Sequence, residues 1–329
     1  MKRICVIGFG TWGIALASHL DKKGYEVTAW DNEEYIGKIS RTRKNEYLKD
    51  VVISDSIGLT ADIGCATGAA DIFVCTLTSK VIGEVLPKFA PFISDGQIIV
   101  STSKGLENKS LMRLSQYIKG VARNAQVAVL TGPSHAEEVL KSIPTAVVAA
   151  SEDEKIAEIV QDVFLSENFR VYTSTDIIGA EIGGALKNVV ALAAGCSDGL
   201  GFGDNTKAAL ITRGIAEITR LGVAMGAKEQ TFAGLSGIGD LIVTCTSSHS
   251  RNWCAGSLLA KGKKLDDVIA EIGLVAEGVN TAKSALKLAE KFNVTMPIVE
   301  EINKILFEGK NPKTAVTDLM LRRRREEGL

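Results

Sequence analysis

Residues 3–13 read Arg3-Ile4-Cys5-Val6-Ile7-Gly8-Phe9-Gly10-Thr11-Trp12-Gly13. A short apolar run rich in β-branched residues and closed by glycine reads as a buried strand. Three glycines follow in the spacing G-x-G-x-x-G, and Trp12–Lys23 then has the period of a helix. In that setting each glycine has a physical reason. Gly8 permits a tight turn, Gly10 lets backbone approach a pyrophosphate, and Gly13 lets the helix pack on the strand. The N–H groups and dipole at the helix start then attract phosphates. An ordinary strand-to-helix turn would use the same glycines, so the next strand matters. It runs Tyr25-Glu26-Val27-Thr28-Ala29-Trp30 and ends in Asp31. A carboxylate there accepts hydrogen bonds from the adenosine ribose hydroxyls and repels a 2′-phosphate, which favours NAD over NADP. Asp31-x-x-Glu34 also fits a capping box, and Lys38, Arg41 and Arg43 stand within reach of a 2′-phosphate.

Outward from this turn, strand-like runs at Arg3–Ile7, Glu26–Trp30, Ile72–Cys75, Gln97–Val100 and Val127–Leu130 alternate with helix-period segments. Those segments are Trp12–Lys23, Asn32–Arg43 and Leu111–Lys119. Such alternation predicts right-handed crossovers and a parallel sheet. Thr145–Ala149 and Arg170–Thr173 extend the sheet. After Asp176 helical stretches dominate: Glu181–Ala194, Thr206–Gly222, Leu265–Glu271, Asn280–Phe292 and Met296–Phe307. The fold class is α/β, with a Rossmann-type, mostly parallel sheet over residues 1–178 and an all-α substrate and catalytic domain over 179–329.

Composition agrees with two domains. The chain has 329 residues, 46 % hydrophobic and 23 % charged, as in globular proteins. Thirty-eight Lys+Arg against 39 Asp+Glu leave a net charge of -1, which argues against nucleic acid or an anionic membrane as the main partner. Met1-Lys2-Arg3 and the apolar stretch to Ala17 imitate a signal peptide, but the glycines fall where a turn needs them. Ile177–Leu200 carries Glu181, Lys187 and Asn188 and does not read as a membrane span. None of the six cysteines forms C-x-x-C, and His19, His135 and His249 are scattered. No metal site is expected; reduced thiols and a cytoplasmic location are the simplest account. The run Arg322–Arg325, followed by two glutamates, reads as a solvated helix end.

Further residues carry chemistry. Lys104, in Thr102-Ser103-Lys104-Gly105-Leu106, sits at the carboxyl end of a strand, where open α/β sheets bind ligands. Thr131-Gly132-Pro133-Ser134-His135-Ala136-Glu137 ends another strand, and Ser134-x-x-Glu137 fits a capping box. Lys187 sits in Ile182-Gly183-Gly184-Ala185-Leu186-Lys187-Asn188-Val189-Val190, among small and apolar residues. Such company desolvates an ammonium, and catalytic lysines are tuned to about 7–8 in this way. Leu235-Ser236-Gly237-Ile238-Gly239-Asp240 places an acid after two glycines. Ser250-Arg251-Asn252, before a helix, offers a hydroxyl, a guanidinium and N–H donors that suit a phosphate.

Together these segments resemble the bacterial-type, soluble NAD(P)-dependent glycerol-3-phosphate dehydrogenases over nearly the whole chain. The resemblance rests on Gly8–Gly13, Lys104-Gly105-Leu106-Glu107, Gly132-Pro133-Ser134, Gly184-Ala185-Leu186-Lys187-Asn188, Gly239-Asp240-Leu241, Ser250-Arg251-Asn252, Glu277-Gly278-Val279 and Leu306-Phe307-Glu308-Gly309-Lys310. It implies reduction of dihydroxyacetone phosphate to sn-glycerol 3-phosphate, the backbone precursor of glycerophospholipids. Lys187 then looks like the general acid/base, assisted by Lys104 and Asp240. Lys104, Gly132, Ser134, Lys187, Asp240, Ser250, Arg251 and Asn252 look like the substrate shell. Thr11, Trp12, Lys104, Ala136, Arg251, Val275 and Glu277 look like cofactor contacts. Asp31 and Asn32 stand where the family commonly has a small residue then a basic one, Leu77-Thr78-Ser79 replaces Val-Pro-Ser, and His135 stands where Phe is frequent. Two other readings compete. One is another dehydrogenase with a Rossmann domain and a helical second domain, acting on a hydroxy acid, a sugar acid or a ketoacid, which needs an acid-recognising arginine instead of a phosphate pocket. The other is a non-catalytic nicotinamide sensor, which has no reason to bury Lys187. The sequence does not set the oligomeric state; a homodimer through the helical half is compatible with it.

Overall fold

The computed structural model describes every residue except Met1, Ala69, Asn108, Leu274, Val275, Arg324, Arg325, Gly328 and Leu329. Eight strands form one sheet: β1 (Arg3–Ile7), β2 (Glu26–Trp30), β3 (Gly58–Thr60), β4 (Ile72–Cys75), β5 (Ile98–Ser101), β6 (Gln126–Thr131), β7 (Thr145–Ala150) and β8 (Phe169–Ser174), in the order β3-β2-β1-β4-β5-β6-β7-β8. β1 pairs with β2 and β4 in parallel, Ile4 lying beside both Val27 and Ile72. β1, β4 and β5 read as unbroken apolar runs because helices cover both faces of the sheet. Ile4 and Val6 point to one face and Cys5 and Ile7 to the other, so each face has its own core.

Around the sheet lie α1 (Thr11–Lys22), α2 (Glu33–Thr42), α3 (Ile63–Thr67), α4 (Ile82–Phe89), α5 (Leu114–Val121), α6 (Ala136–Leu140) and α7 (Glu154–Phe164). The helical part comprises α8 (Ile177–Gly199), α9 (Asp204–Ala224), α10 (Asp240–Thr246), α11 (Arg251–Ala260), α12 (Leu265–Ile272), α13 (Glu277–Lys291), α14 (Pro297–Phe307) and α15 (Pro312–Met320).

Three details differ from the sequence reading. β3 is unforeseen, because three half-exposed residues with one large apolar side chain carry no period. β7 runs antiparallel to β6, Val129 opposite Ala150. The five-residue α6 between them advances only ~7 Å, against ~20 Å for a six-residue strand. It therefore cannot carry the chain back for a parallel pairing. Finally, α8 starts at Ile177 because the Asp176 carboxylate caps it, accepting the Gly179 N–H at 2.9 Å.

α8 organises the helical part. By length and composition alone it could cross a membrane, yet 89 % of its most apolar window is buried inside the protein. Glycines let neighbouring backbones touch it. A Cβ on Gly195 would lie 2.0 Å from the Trp253 carbonyl oxygen, one on Gly256 2.0 Å from that of Leu192, and one on Gly183 2.3 Å from that of Ser236. Near its start, the buried Glu181 accepts from Arg113 Nη1, from the Ser115 N–H at 2.7 Å and from the Ser115 hydroxyl. This ties α8 to the beginning of α5. Arg322 and Arg323 are exposed past the end of α15; Arg324 and Arg325 of the same run lie outside the described residues.

Candidate active site

The turn after β1 has the geometry its glycines require. Gly8 has φ +93° and donates to the Trp30 carbonyl at 2.9 Å. A Cβ at Gly13 would lie 2.2 Å from the Gly8 carbonyl oxygen, so α1 packs directly on the strand end. At Gly10, the N-cap of α1, a Cβ would meet nothing within 4 Å. Internal packing leaves that side open, as an approaching pyrophosphate requires, and the residues fit a dinucleotide.

Asp31 accepts the Phe9 N–H at 2.7 Å and the Asn32 N–H at 2.8 Å. It braces the turn instead of capping α2, correcting that reading. The cap is Asn32, whose side chain accepts the Tyr35 N–H at 3.0 Å. Of the nearby cations, Lys38 pairs with Glu46 at 3.6 Å, and Arg43 donates to the Ser54 and Ile57 carbonyls at 3.2 and 3.0 Å.

A cavity of about 220 Å³ opens where the helical part meets the carboxyl ends of the central strands. Lys104, after β5, and Lys187, midway along α8, share one carboxylate at its wall. Asp240, at the start of α10 and almost fully buried, accepts from Lys104 Nζ at 2.8 Å through one oxygen and from Lys187 Nζ through the other. Lys187 also donates to the Thr244 hydroxyl at 2.7 Å, and Lys104 to the Gly132 carbonyl at 2.9 Å. An ammonium has three N–H donors, so each lysine keeps one for a ligand. Burial pulls the Lys187 pKa down to about 7, with Asp240 opposing and Lys104 adding to the fall.

The same cavity is lined by Thr11, Trp12, Ser134, Ala136, Ser250, Arg251, Asn252 and Glu277. Ser250 caps α11, accepting the Trp253 N–H at 3.3 Å. The Asn252 amide bridges Asn188 and the Gly278 N–H, at 3.0 and 2.9 Å, joining α8, α11 and α13. Glu277 accepts from the Ser79 hydroxyl at 2.5 Å, and burial raises its pKa. Ser134 does not cap α6; its hydroxyl donates to the Gly132 carbonyl at 2.9 Å, and His135 is the N-cap. A residue-134 capping box is therefore corrected. Gly132 and Asp240 stand behind the cavity wall, holding the lysines. Gly8, Gly10 and Gly13 form the glycine turn, with Asp31 and Asn32 at the end of β2 against it, outside the cavity lining, and Val275 lies outside the described residues.

Sequence reading missed Thr244, His249 as a wall residue and the threonines that line the β4 and β5 ends. Thr244 had a signal: it stands four residues after Asp240, on the same helix face.

A doubly wound sheet with a glycine turn at its switch point, and a helical part carrying a buried lysine over it, define the scaffold of the pyridine-nucleotide dehydrogenases. The chain belongs to the NAD-dependent glycerol-3-phosphate dehydrogenase family: models of that family's N-terminus and C-terminus match residues 3–157 and 176–317. It is 50 % identical to the glycerol-3-phosphate dehydrogenase [NAD(P)+] of Thermoanaerobacter sp. strain X514, over 99 % of this chain and 98 % of that one. It is likewise 50 % identical to the Bacillus subtilis enzyme of that name, over 99 % and 96 %. Among solved structures, the glycerol-3-phosphate dehydrogenase of Coxiella burnetii superposes with TM-score 0.94 at 33 % identity, covering 98 % of this chain and 99 % of that one.

Proposed function

We propose that the protein is an NAD(P)-dependent glycerol-3-phosphate dehydrogenase that reduces dihydroxyacetone phosphate to sn-glycerol 3-phosphate for glycerophospholipid synthesis. One observation carries the reading: a buried lysine and a second lysine, fixed on one carboxylate, face a cavity that also holds Ser250, Arg251 and Asn252. Gly8, Gly10, Thr11, Trp12, Gly13, Asp31, Asn32, Ala136 and Glu277 would hold the dinucleotide. When bound, the dinucleotide supplies the hydride. Lys187 gives a proton to the substrate's carbonyl oxygen as negative charge gathers there, and takes one back in the reverse direction. Lys104 stabilises that charge. Asp240 and Thr244 aim Lys187, and Gly132 aims Lys104. Ser250, Arg251, Asn252 and Ser134 hold the phosphate end, whose binding energy positions the ketone.

NAD is the preferred cofactor, supported by the carboxylate of Asp31 and by Arg43 being engaged with the Ser54 and Ile57 carbonyls. The chain divides near residue 178 into dinucleotide and catalytic parts. A cytoplasmic protein without membrane insertion is supported by the burial of α8 and by six free cysteines. A homodimer through the helical part is supported by the exposed Met320 and Leu321 beside an apolar cleft on that part.

The test is the initial rate of NADH and of NADPH oxidation with dihydroxyacetone phosphate and with unphosphorylated dihydroxyacetone. Turnover is expected only with the phosphorylated ketone, and faster with NADH. Equal rates on both ketones would overturn the phosphate pocket.

The acid/base role also fixes a pH dependence. Reduction needs Lys187 protonated, so kcat/KM for the ketone falls tenfold per unit as pH rises above about 7. Oxidation needs it neutral and rises through the same pH to a plateau. Parallel profiles in the two directions would remove Lys187 from the proton transfer.

A further inference from the structure

His135 takes no part in the chemistry above, yet its ring borders the same cavity. Its Nε2 is buried without a hydrogen-bond partner. A buried polar atom left unpaired carries an uncompensated desolvation cost, which a turn of the ring that brings Nε2 to a ligand in the cavity removes. The ring leans against His249, with centroids 5.8 Å apart and planes at 54°. His249 immediately precedes Ser250-Arg251-Asn252, so the pair stands at the phosphate-holding end of the cavity.

We propose that His135 binds the dianionic phosphate of the substrate through Nε2, taking up a proton as the dianion enters, with His249 forming the outer wall of that contact. This deepens the reading of the site as a phosphorylated-ketone dehydrogenase and rests on it.

The groups facing His135 explain why the proton waits for the ligand. Burial lowers its pKa most, and Lys187 on α8 and Lys104 after β5 lower it further, while Glu137 and Glu138 on α6 oppose them. Arg251 on α11 borders the same space. In the empty site at neutral pH the imidazole is neutral. A phosphomonoester has its second pKa near about 6, so at pH 7.5 it arrives as a dianion. Two negative charges reverse the field of the lysines. The imidazole then draws a proton from solvent and donates Nε2–H to a phosphate oxygen as a charge-assisted bond.

The experiment is calorimetry of sn-glycerol 3-phosphate binding to NADH-saturated enzyme at pH 7.5, in two buffers of different ionisation enthalpy. Both ligands are in the reduced state, so no turnover occurs. The native enzyme is expected to take up protons on binding. His135→Phe keeps the ring's bulk and is expected to lower that uptake to the share Lys187 takes, its pKa being about 7, to bind about tenfold more weakly, and to raise KM for dihydroxyacetone phosphate with kcat within twofold. His135→Gln is expected to recover part of the affinity, because an amide still donates, but none of the proton uptake that His135→Phe loses. NADH affinity of each variant reports that the fold is intact. Uptake undiminished in His135→Phe, or unchanged KM, overturns the proposal. Native enzyme that binds NADH but neither binds nor turns over the phosphorylated ligands overturns the substrate reading itself, and this one with it.

Discussion

Lys187→Ala is expected to lower kcat for dihydroxyacetone phosphate reduction by about 10³–10⁴-fold, the upper range for loss of a positioned general acid. The change removes the proton donor and one of the two cations on Asp240. Fold and cofactor affinity should survive it. Asp240 retains Lys104 at 2.8 Å, so its carboxylate is not stranded. The glycine turn and Asp31 are built from β1, α1 and β2 and make no bond to α8. The paired measurement is steady-state kcat with the dissociation constant of NADH. A variant within tenfold of native turnover would refute the assignment, and a large loss of NADH affinity would attribute the effect to folding.

Glu181→Ala is expected to cost about 3–5 kcal/mol of stability, the usual cost of breaking a buried ion pair from one side. The carboxylate accepts from Arg113 and twice from Ser115, and burial pushes its pKa up even against the arginine. Alanine leaves a buried guanidinium with the Ser115 hydroxyl at 2.8 Å and takes away the acceptor of the Ser115 N–H. Urea unfolding monitored by tryptophan fluorescence gives the difference. The double variant Arg113→Met with Glu181→Ala should lose less than the sum of the single changes, because no charge is then stranded. A loss under about 1 kcal/mol for Glu181→Ala alone would show that water reaches the pair.

The contrast between Lys187 and Glu181 explains what was legible in the sequence. β1, β2 and β4 have the bounds read from the sequence, and β4, buried on both faces, leaves an unbroken apolar signal. Lys187 was legible because a charge inside a run of small apolar residues contradicts its surroundings. Glu181 breaks the same run, but it read only as a charge that disqualifies a membrane span; its partners lie 66 and 68 positions away. Asp240 was legible as an acid after glycines. Its bridging role was not, because it joins residues 53 and 136 positions away in the chain. The Ser134 pattern misled for a local reason. S-x-x-E records only that a helix starts nearby, and here the Gly132 carbonyl claims the serine hydroxyl. His135 then becomes the residue that opens α6, and the site gains an imidazole.

α8 advances 1.5 Å and turns 100° per residue, so its reach and its bearing cannot be adjusted separately. It is gripped like a threaded rod, at Gly183 by Ser236 and at Gly195 by Trp253. Lys187 lies between the two grips, unable to advance without rotating or to rotate without advancing. The helical part thus presents Lys187 at one height and one bearing to whatever enters the cavity.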